Sequence, residues 1–121
     1  MNLAEQLKTG TKKSHTAAES TKFVGSFLRG VISEENYRTL IKDFYFVYSA
    51  LEEEMERLED DKILSPINFP ELDRVKSLKK DLRYYYGPQW NYIIQPSEAC
   101  IQYVERIHAV SYTHLRAHET R

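Results

Sequence analysis

The sequence contains a single cysteine, Cys100, among its 121 residues. One thiol cannot form a disulfide within the chain, so the sequence excludes a disulfide-stapled scaffold and fits a reducing compartment. Cys100 falls in an apolar helical pattern, which predicts a small core residue.

Long hydrophobic runs are also missing. No stretch reaches the roughly 18 consecutive apolar residues that a membrane-spanning helix needs. Glu5 and Lys8 interrupt the start of the chain, where the apolar part of a secretory signal would lie. The formal net charge is -1, which gives no global indication of nucleic acid or a membrane as a partner.

Alternating strand patterns and internal repeats are absent as well, and helical periodicity dominates what is present. The hydrophobic fraction of 41% and the length of 121 residues suggest one modest core. The sequence therefore predicts an all-α protein.

Capping residues mark the first predicted helices. Asn2 with Glu5 three residues further on forms a capping-box pattern for a first helix. Gly30 is a natural terminator of a short helix around residues 23–28. Ser33 is a good N-cap for the longest helix.

The longest helix carries an aromatic centre, FYFVY at residues 44–48, which is apolar on all sides. A helix of this kind is usually buried all round, so we expect it to cross the centre of the finished domain. The acidic cluster from Glu52 to Glu56 predicts a solvated face that pairs in part with Arg57 and Lys62.

Two further helices follow a connector. Pro70 can open a helix that Gly87 and Pro88 end. Its predicted inward residues are Leu72, Val75, Leu78, Leu82 and Tyr85. The apolar connector that we expect to plug one end of the bundle contains Trp90, Tyr92, Ile93 and Ile94. A last helix starts at about Ser97. Its predicted inward residues are Ala99, Cys100, Tyr103, Val104 and Ile107.

The stretch from Leu7 to Lys22 contains the best candidate for a functional site. Lys8, Thr11/Lys12, His15 and Ala18/Glu19 share one helical face. The imidazole of His15 can bind a metal, Glu19 can accept the other ring N–H, and Lys8 can reach an anionic group of the same ligand. Spacing alone favours the alternative of a surface helix with a solvated histidine.

Five separated segments resemble the haem oxygenases, in the order and roughly the spacing of that family. They are the LKTGTKKSHTAAE pattern around His15, FYFVYSALEEEMERL at 44–58, FPEL at 69–72, DL…YYYGPQW at 81–90 and YVERIH at 103–108. The resemblance runs from Asn2 to about Ala109 and is greatest to the cyanobacterial and algal branch. It implies a haem oxygenase-like multihelical bundle.

The resemblance also implies an activity and a set of site residues. Haem oxygenases open haem b to biliverdin with release of Fe(II) and CO, using O2 as co-substrate. His15 matches the proximal iron ligand, Glu19 the carboxylate that orients it, and Lys8 a partner of a haem propionate. Phe27 matches an aromatic beside the macrocycle, with plain core packing as the alternative. Tyr48 matches a tyrosine of the distal hydrogen-bond network.

Further expectations concern partners and setting. The family resemblance implies reduced ferredoxin or another electron donor, and a monomer at full length. It implies a cytoplasmic protein in a bacterium or a plastid protein in an alga. The alternative function is a non-catalytic haem-binding protein or a degenerate family member.

Residues 110–121 depart from the family pattern and read like a translated sequencing adapter. We therefore expect 1–109 to be the N-terminal part of a haem oxygenase-like domain, truncated before the distal haem helix, and 110–121 to be a non-native tail. A second reading aligns Tyr112 and Thr113 with a later family segment. His114 and His118, with Glu119, mimic a metal-ligand pair, but we assign them no role. Without the glycine-rich distal stretch L-G-D-L-S-G-G, we expect the 121-residue chain alone to be poorly folded and inactive.

Overall fold

The computed structural model describes the backbone of residues 2–119 and the side chains of residues 2–115. This part of the chain is helical and contains no strand, which confirms the all-α prediction. The α-helices are α1 Leu3–Glu19, α2 Lys22–Leu28, α3 Glu34–Arg57, α4 Val75–Tyr86, α5 Trp90–Ile93 and α6 Glu98–Glu119, with 3-10 turns at Ser65–Ile67 and Pro70–Leu72. Contacts divide the chain into two compact units, Met1–Tyr37 and Arg38–Arg121.

The first unit is built on local capping. The side chain of Asn2 accepts a hydrogen bond from the backbone N–H of Glu5 at 2.9 Å, as the sequence predicts for the start of α1. Thr21 separates α1 from α2, and its side chain caps α2. Gly30 has a φ of 70°, the left-handed conformation expected of a residue that ends a helix. No residue of α1 is buried, so this helix presents its side chains to solvent within its unit.

The second unit packs its other helices against α3. Its buried hydrophobic residues are Ile41, Ala50, Leu58, Leu78, Leu82, Ile94 and Cys100. Cys100 is 3% exposed, which confirms its predicted place in the core. Burial raises the pKa of its thiol, and the charge of Asp43 raises it further, so the thiol is a poor nucleophile.

The aromatic centre of α3 is not enclosed on all sides in this chain. Phe44 is 41% exposed, and residues 45–48 are half-buried. The ring of Tyr45 packs edge-on against Trp90 of α5, with centroids 5.2 Å apart. The expected burial on all sides concerns the finished domain and stays a prediction, because the helices described here cover only part of the circumference of α3.

The acidic cluster of α3 differs from its predicted role as a solvated face. Glu54 is buried, at 4% exposed, and Glu52 is half-buried. One carboxylate oxygen of Glu52 accepts the backbone N–H groups of Arg74 and Val75, at 2.9 and 3.1 Å. Arg57 pairs with the exposed Glu53 at 3.7 Å, as predicted, and also lies 3.3 Å from Glu54. The predicted solvated position is wrong for Glu52 and Glu54, which hold other parts of the unit.

The segment before α4 has a different geometry from the predicted helix. Pro70–Leu72 forms a 3-10 turn, and the extended backbone of Asp73 separates it from α4. Leu72 is consequently out of phase with the buried Leu78 and Leu82 and is 60% exposed. Its predicted inward position is wrong. Gly87 ends α4 with a φ of 91°, as predicted.

Two apolar predictions beyond α4 are also partly wrong. In the connector, Trp90 is half-buried and Ile94 is buried. Tyr92 is 81% exposed and Ile93 is 57% exposed. The single turn of α5 can bury only one side. Among the described side chains of α6, the buried or half-buried ones lie on one helical stripe: Cys100, Val104, Ile107, His108, Ser111, His114 and Leu115. Ala99 and Tyr103 precede members of this stripe by one position and are exposed.

Helix α6 continues without a break past Ala109 to Glu119. Ser111 is buried, at 6% exposed, and donates its hydroxyl to Glu54 at 2.5 Å. The division of the chain at residues 109 and 110 stays a prediction. Within the residues that the structure describes, no helix is both long and apolar enough to cross a membrane.

Candidate functional site

His15 lies in the third quarter of α1 with its imidazole open to solvent. Its side chain is 72% exposed, and its Nδ1 is 3.3 Å from Oε1 of Glu19, one turn further along the helix. An ionised carboxylate at Nδ1 favours the tautomer that carries its proton there. The lone pair of Nε2 is then directed away from Glu19 and is available to a metal ion. The predicted pair of ligand and orienting carboxylate is thus present in the geometry.

Lys8 and Phe27 belong to the same unit as His15. Lys8 is exposed on α1, two turns before His15, about 10 Å along the helix axis. Phe27 lies on α2, which packs against α1, and is 44% exposed. The first unit therefore presents an imidazole, an ammonium group and an aromatic ring, all accessible to a ligand.

Tyr48 belongs to the second unit and lies on α3. It is half-buried, and its ring contacts that of Phe44 edge-on, with centroids 6.1 Å apart. Tyr48 also borders a cavity of about 210 Å³ against the segment from Ile67 to Asp73. Its side chain thus has an apolar support and an adjacent open space.

The remaining described histidines serve as hydrogen-bonding groups. His108 Nδ1 is 2.6 Å from Oε1 of Glu54, and His114 Nε2 is 2.8 Å from Oδ2 of Asp61. Across the side chains that the structure describes, no three His, Cys, Asp or Glu residues are grouped as a metal site. In the sequence, His114, His118 and Glu119 mimic a metal-ligand pair. The side chains of His118 and Glu119 lie outside the described residues, and His114 contacts the carboxylate of Asp61.

Sequence reasoning did not identify Glu54 as a buried group. Its carboxylate accepts hydrogen bonds from His108 and Ser111, and Nη1 of Arg57 lies 3.3 Å from its Oε1. The signal for its burial is the spacing of four residues that it shares with Ala50 and Leu58, both buried. An acidic run obscures this spacing, because three neighbouring glutamates are typical of a solvated face.

Comparisons with known proteins agree on one family. A family model described as Heme oxygenase matches residues 1–119. Heme oxygenase of Rhodella violacea is 52% identical over 112 residues, which cover 93% of this chain and 48% of the relative. Heme oxygenase 1 of Synechocystis is 50% identical over 113 residues, which cover 93% of this chain and 47% of the relative.

Solved structures give the same result. Heme oxygenase-1 of the cyanobacterium Synechocystis, solved in complex with heme, matches with a TM-score of 0.86 and 50% identity over 92% of this chain and 50% of that one. Heme oxygenase-2 of Synechocystis, solved with heme and NO, matches with a TM-score of 0.88 and 43% identity.

The fold is therefore the all-helical fold of these haem oxygenase structures. The chain belongs to the haem oxygenase family. It spans about half the length of the curated relatives that it matches.

Proposed function

We propose that this protein is a haem oxygenase, which converts haem b to biliverdin with release of Fe(II) and CO and takes O2 as co-substrate. The observation that carries the proposal is the His15–Glu19 pair on α1, in a chain that belongs to the family. An exposed imidazole whose Nδ1 faces a carboxylate is the arrangement that prepares Nε2 for iron.

The residues of the first unit fit haem as the ligand. His15 would hold the iron through Nε2, with Glu19 fixing the tautomer and ring orientation. Lys8 would form a charge-assisted contact with a propionate, and Phe27 would pack beside the macrocycle. When bound, haem supplies the iron centre at which O2 is activated. We propose that the hydroxyl of Tyr48 belongs to the hydrogen-bond network on the distal side of the haem.

The family supports a redox partner, since oxidative opening of haem needs external electrons. We propose reduced ferredoxin as the donor in the cyanobacterial or algal setting that the relatives suggest, with another small electron carrier as the alternative. We further propose a monomer in the cytoplasm of a bacterium or in a plastid.

Haem titration followed by absorbance tests the ligand assignment. We expect saturable binding by the chain and a loss of the histidine-ligated spectrum in His15→Ala. Glu19→Gln should retain binding with a shifted spectrum, because it perturbs ring orientation and basicity. His114→Gln is the matched control, since it removes an imidazole from the second unit. Unchanged titration in His15→Ala would contradict the proposal.

Turnover distinguishes the enzyme from a haem-binding protein without catalysis. The assay supplies haem, O2 and reduced ferredoxin to the full-length protein and follows the appearance of biliverdin. We expect product from the full-length protein and none above a no-protein control from the 121-residue chain. Haem binding with no product from the full-length protein would favour the non-catalytic alternative.

A further inference from the structure

Helix α4 carries four basic side chains on one face. Lys76, Lys79, Lys80 and Arg83 occupy positions i, i+3, i+4 and i+7, which places them on neighbouring turns over about 10 Å of helix. All four are exposed. Together with Trp90 of α5, they form the lining of a cavity of about 250 Å³. Four cations therefore converge on one concave surface beside one indole ring.

These cations lack carboxylate partners in the part of the chain that the structure describes. None of the salt bridges found there involves any of the four residues. Lys79 also borders a neighbouring acidic groove that includes Glu56 and Asp73, yet forms no ion pair with either. Like charges at one-turn spacing repel one another, so an anion bound among them would stabilise this arrangement.

The indole of Trp90 gives the cavity a fixed wall. Its ring packs edge-on against Tyr45 at an interplanar angle of 81°, and the residue is half-buried. Helix α5 contacts α4, so the ring and the basic face belong to one local structure. The cavity thus pairs positive charge with a rigid aromatic surface.

We propose that this basic cavity of α4 is a binding site for a small polyphosphate anion. Its volume is slightly below the roughly 300 to 1,000 Å³ of pockets for drug-sized ligands, so it fits a compact anion or the phosphate part of a larger molecule. Several ammonium groups on successive turns match several phosphates in a row. The Arg83 guanidinium can take two phosphate oxygens at once. The site is independent of the haem ligand assignment.

Trp90 is the single tryptophan of the chain, so its fluorescence reports directly on the cavity. The probes are inorganic triphosphate, ATP and adenosine, with sodium sulfate at matched ionic strength. We expect a saturable change with triphosphate that weakens as salt rises. Equal affinity for ATP would identify the phosphates as the recognised group, and tighter ATP binding would identify a nucleotide with its base against the indole. Binding of adenosine alone, or the same change with sulfate, would overturn the proposal.

Charge-removing variants complete the test. Lys79→Gln/Lys80→Gln should lower triphosphate affinity about ten-fold or more, because two charge-assisted contacts are lost. Lys76→Gln/Arg83→Gln provides a second pair in case the first does not fold. Lys13→Gln/Lys62→Gln removes the same charge elsewhere and should bind normally. Equal affinity in all folded variants would overturn the proposal, whatever the result of the haem titration.

Discussion

Glu54 of α3 and His108 of α6 form a short contact, with 2.6 Å between Oε1 and Nδ1 and a carboxylate side chain only 5% exposed. An ionised carboxylate can only accept, so Nδ1 of His108 carries the proton. Ser111 donates to the other oxygen at 2.5 Å, and Arg57 lies 3.3 Å from Oε1. A buried charge is tolerated here because three donors surround it.

Removing the Glu54 carboxylate should destabilise the fold. We expect Glu54→Ala to lower the free energy of unfolding by about 2 kcal/mol, because His108 and Ser111 lose their acceptor. Urea denaturation followed by circular dichroism measures this loss. The matched control is Glu53→Ala, an exposed neighbour whose ion pair with Arg57 should be worth at most about 0.5 kcal/mol. Equal losses in the two variants would contradict the role assigned to Glu54.

The same pair should make stability depend on pH in the acid range. Burial raises the pKa of Glu54, but the hydrogen bonds from Ser111 and His108 and the charge of Arg57 outweigh it and hold the pKa below the ordinary value of 4.5. The contribution of the carboxylate is thus complete above 4.5 and is lost as pH falls through the lower folded-state pKa. The difference in unfolding free energy between wild type and Glu54→Gln should shrink over this acid interval. A constant difference down to the lowest pH would refute the assignment.

Glu52 of α3 should act as the N-terminal cap of α4, although it lies 22 positions earlier in the sequence than Arg74. The side chain of Arg74 at the N-cap position makes no capping hydrogen bond to α4, and the Glu52 carboxylate accepts the N–H groups of Arg74 and Val75 instead. We expect Glu52→Ala to cost about 1 kcal/mol, the typical value of a lost cap next to the positive end of a helix dipole. Chemical denaturation tests this, with the exposed Glu56→Ala as control. A larger loss in Glu56→Ala would count against the capping role.

Two glycines should respond to alanine in opposite directions. Gly87 has a φ of 91° and a ψ of -178°, a conformation essentially restricted to glycine, so Gly87→Ala should destabilise by about 1 to 3 kcal/mol. Gly10 lies inside α1, where an added Cβ has no atom within 4 Å, so Gly10→Ala should increase helix stability by about 0.5 to 1 kcal/mol. Thermal melting distinguishes the two signs. A destabilising Gly10→Ala would contradict the open space around Gly10 in α1.

Resequencing the gene across the codons for Ile107 to Tyr112 tests the predicted junction at residue 109. We expect the reading frame to continue into a helix with the glycine-rich distal stretch of the family. A confirmed VSYTHLRAHET followed by a stop would refute the prediction of a non-native tail and leave haem binding through His15 as the activity to test.

Local signals in the sequence predicted local structure well. Asn2, Gly30 and Gly87 were identified as helix boundaries because capping and positive φ depend on one or two neighbouring residues. The His15–Glu19 pair was predictable for the same reason, since both residues share one helix. Leu72 was misplaced because a 3-10 turn changes the phase of the pattern, which periodicity alone does not detect.

Contacts between distant residues could not be predicted in this way. Glu54 and His108 are separated by 54 positions, and nothing near either residue specifies the other. The sequence analysis assigned no role to the four basic residues of α4, because their proximity to Trp90 depends on the turn at Gly87. The roles of Lys8, Phe27 and Tyr48 stay predictions of the family resemblance.

Three acidic side chains of α3 each hold a later helix. Asp43 accepts from the backbone and hydroxyl of Ser97 at the start of α6, Glu52 caps α4, and Glu54 binds the middle of α6. The hydrogen bond between Glu52 and α4 joins residues 22 positions apart in the sequence. The hydrogen bonds from α3 to Ser97 and α6 join residues 54 or more positions apart. Loop closure becomes less favourable with length, and a chain leaves the ribosome from its N-terminus. During synthesis α4 can therefore dock on α3 while α6 is still inside the ribosome, and α3 acts as the template on which the second unit is assembled in order.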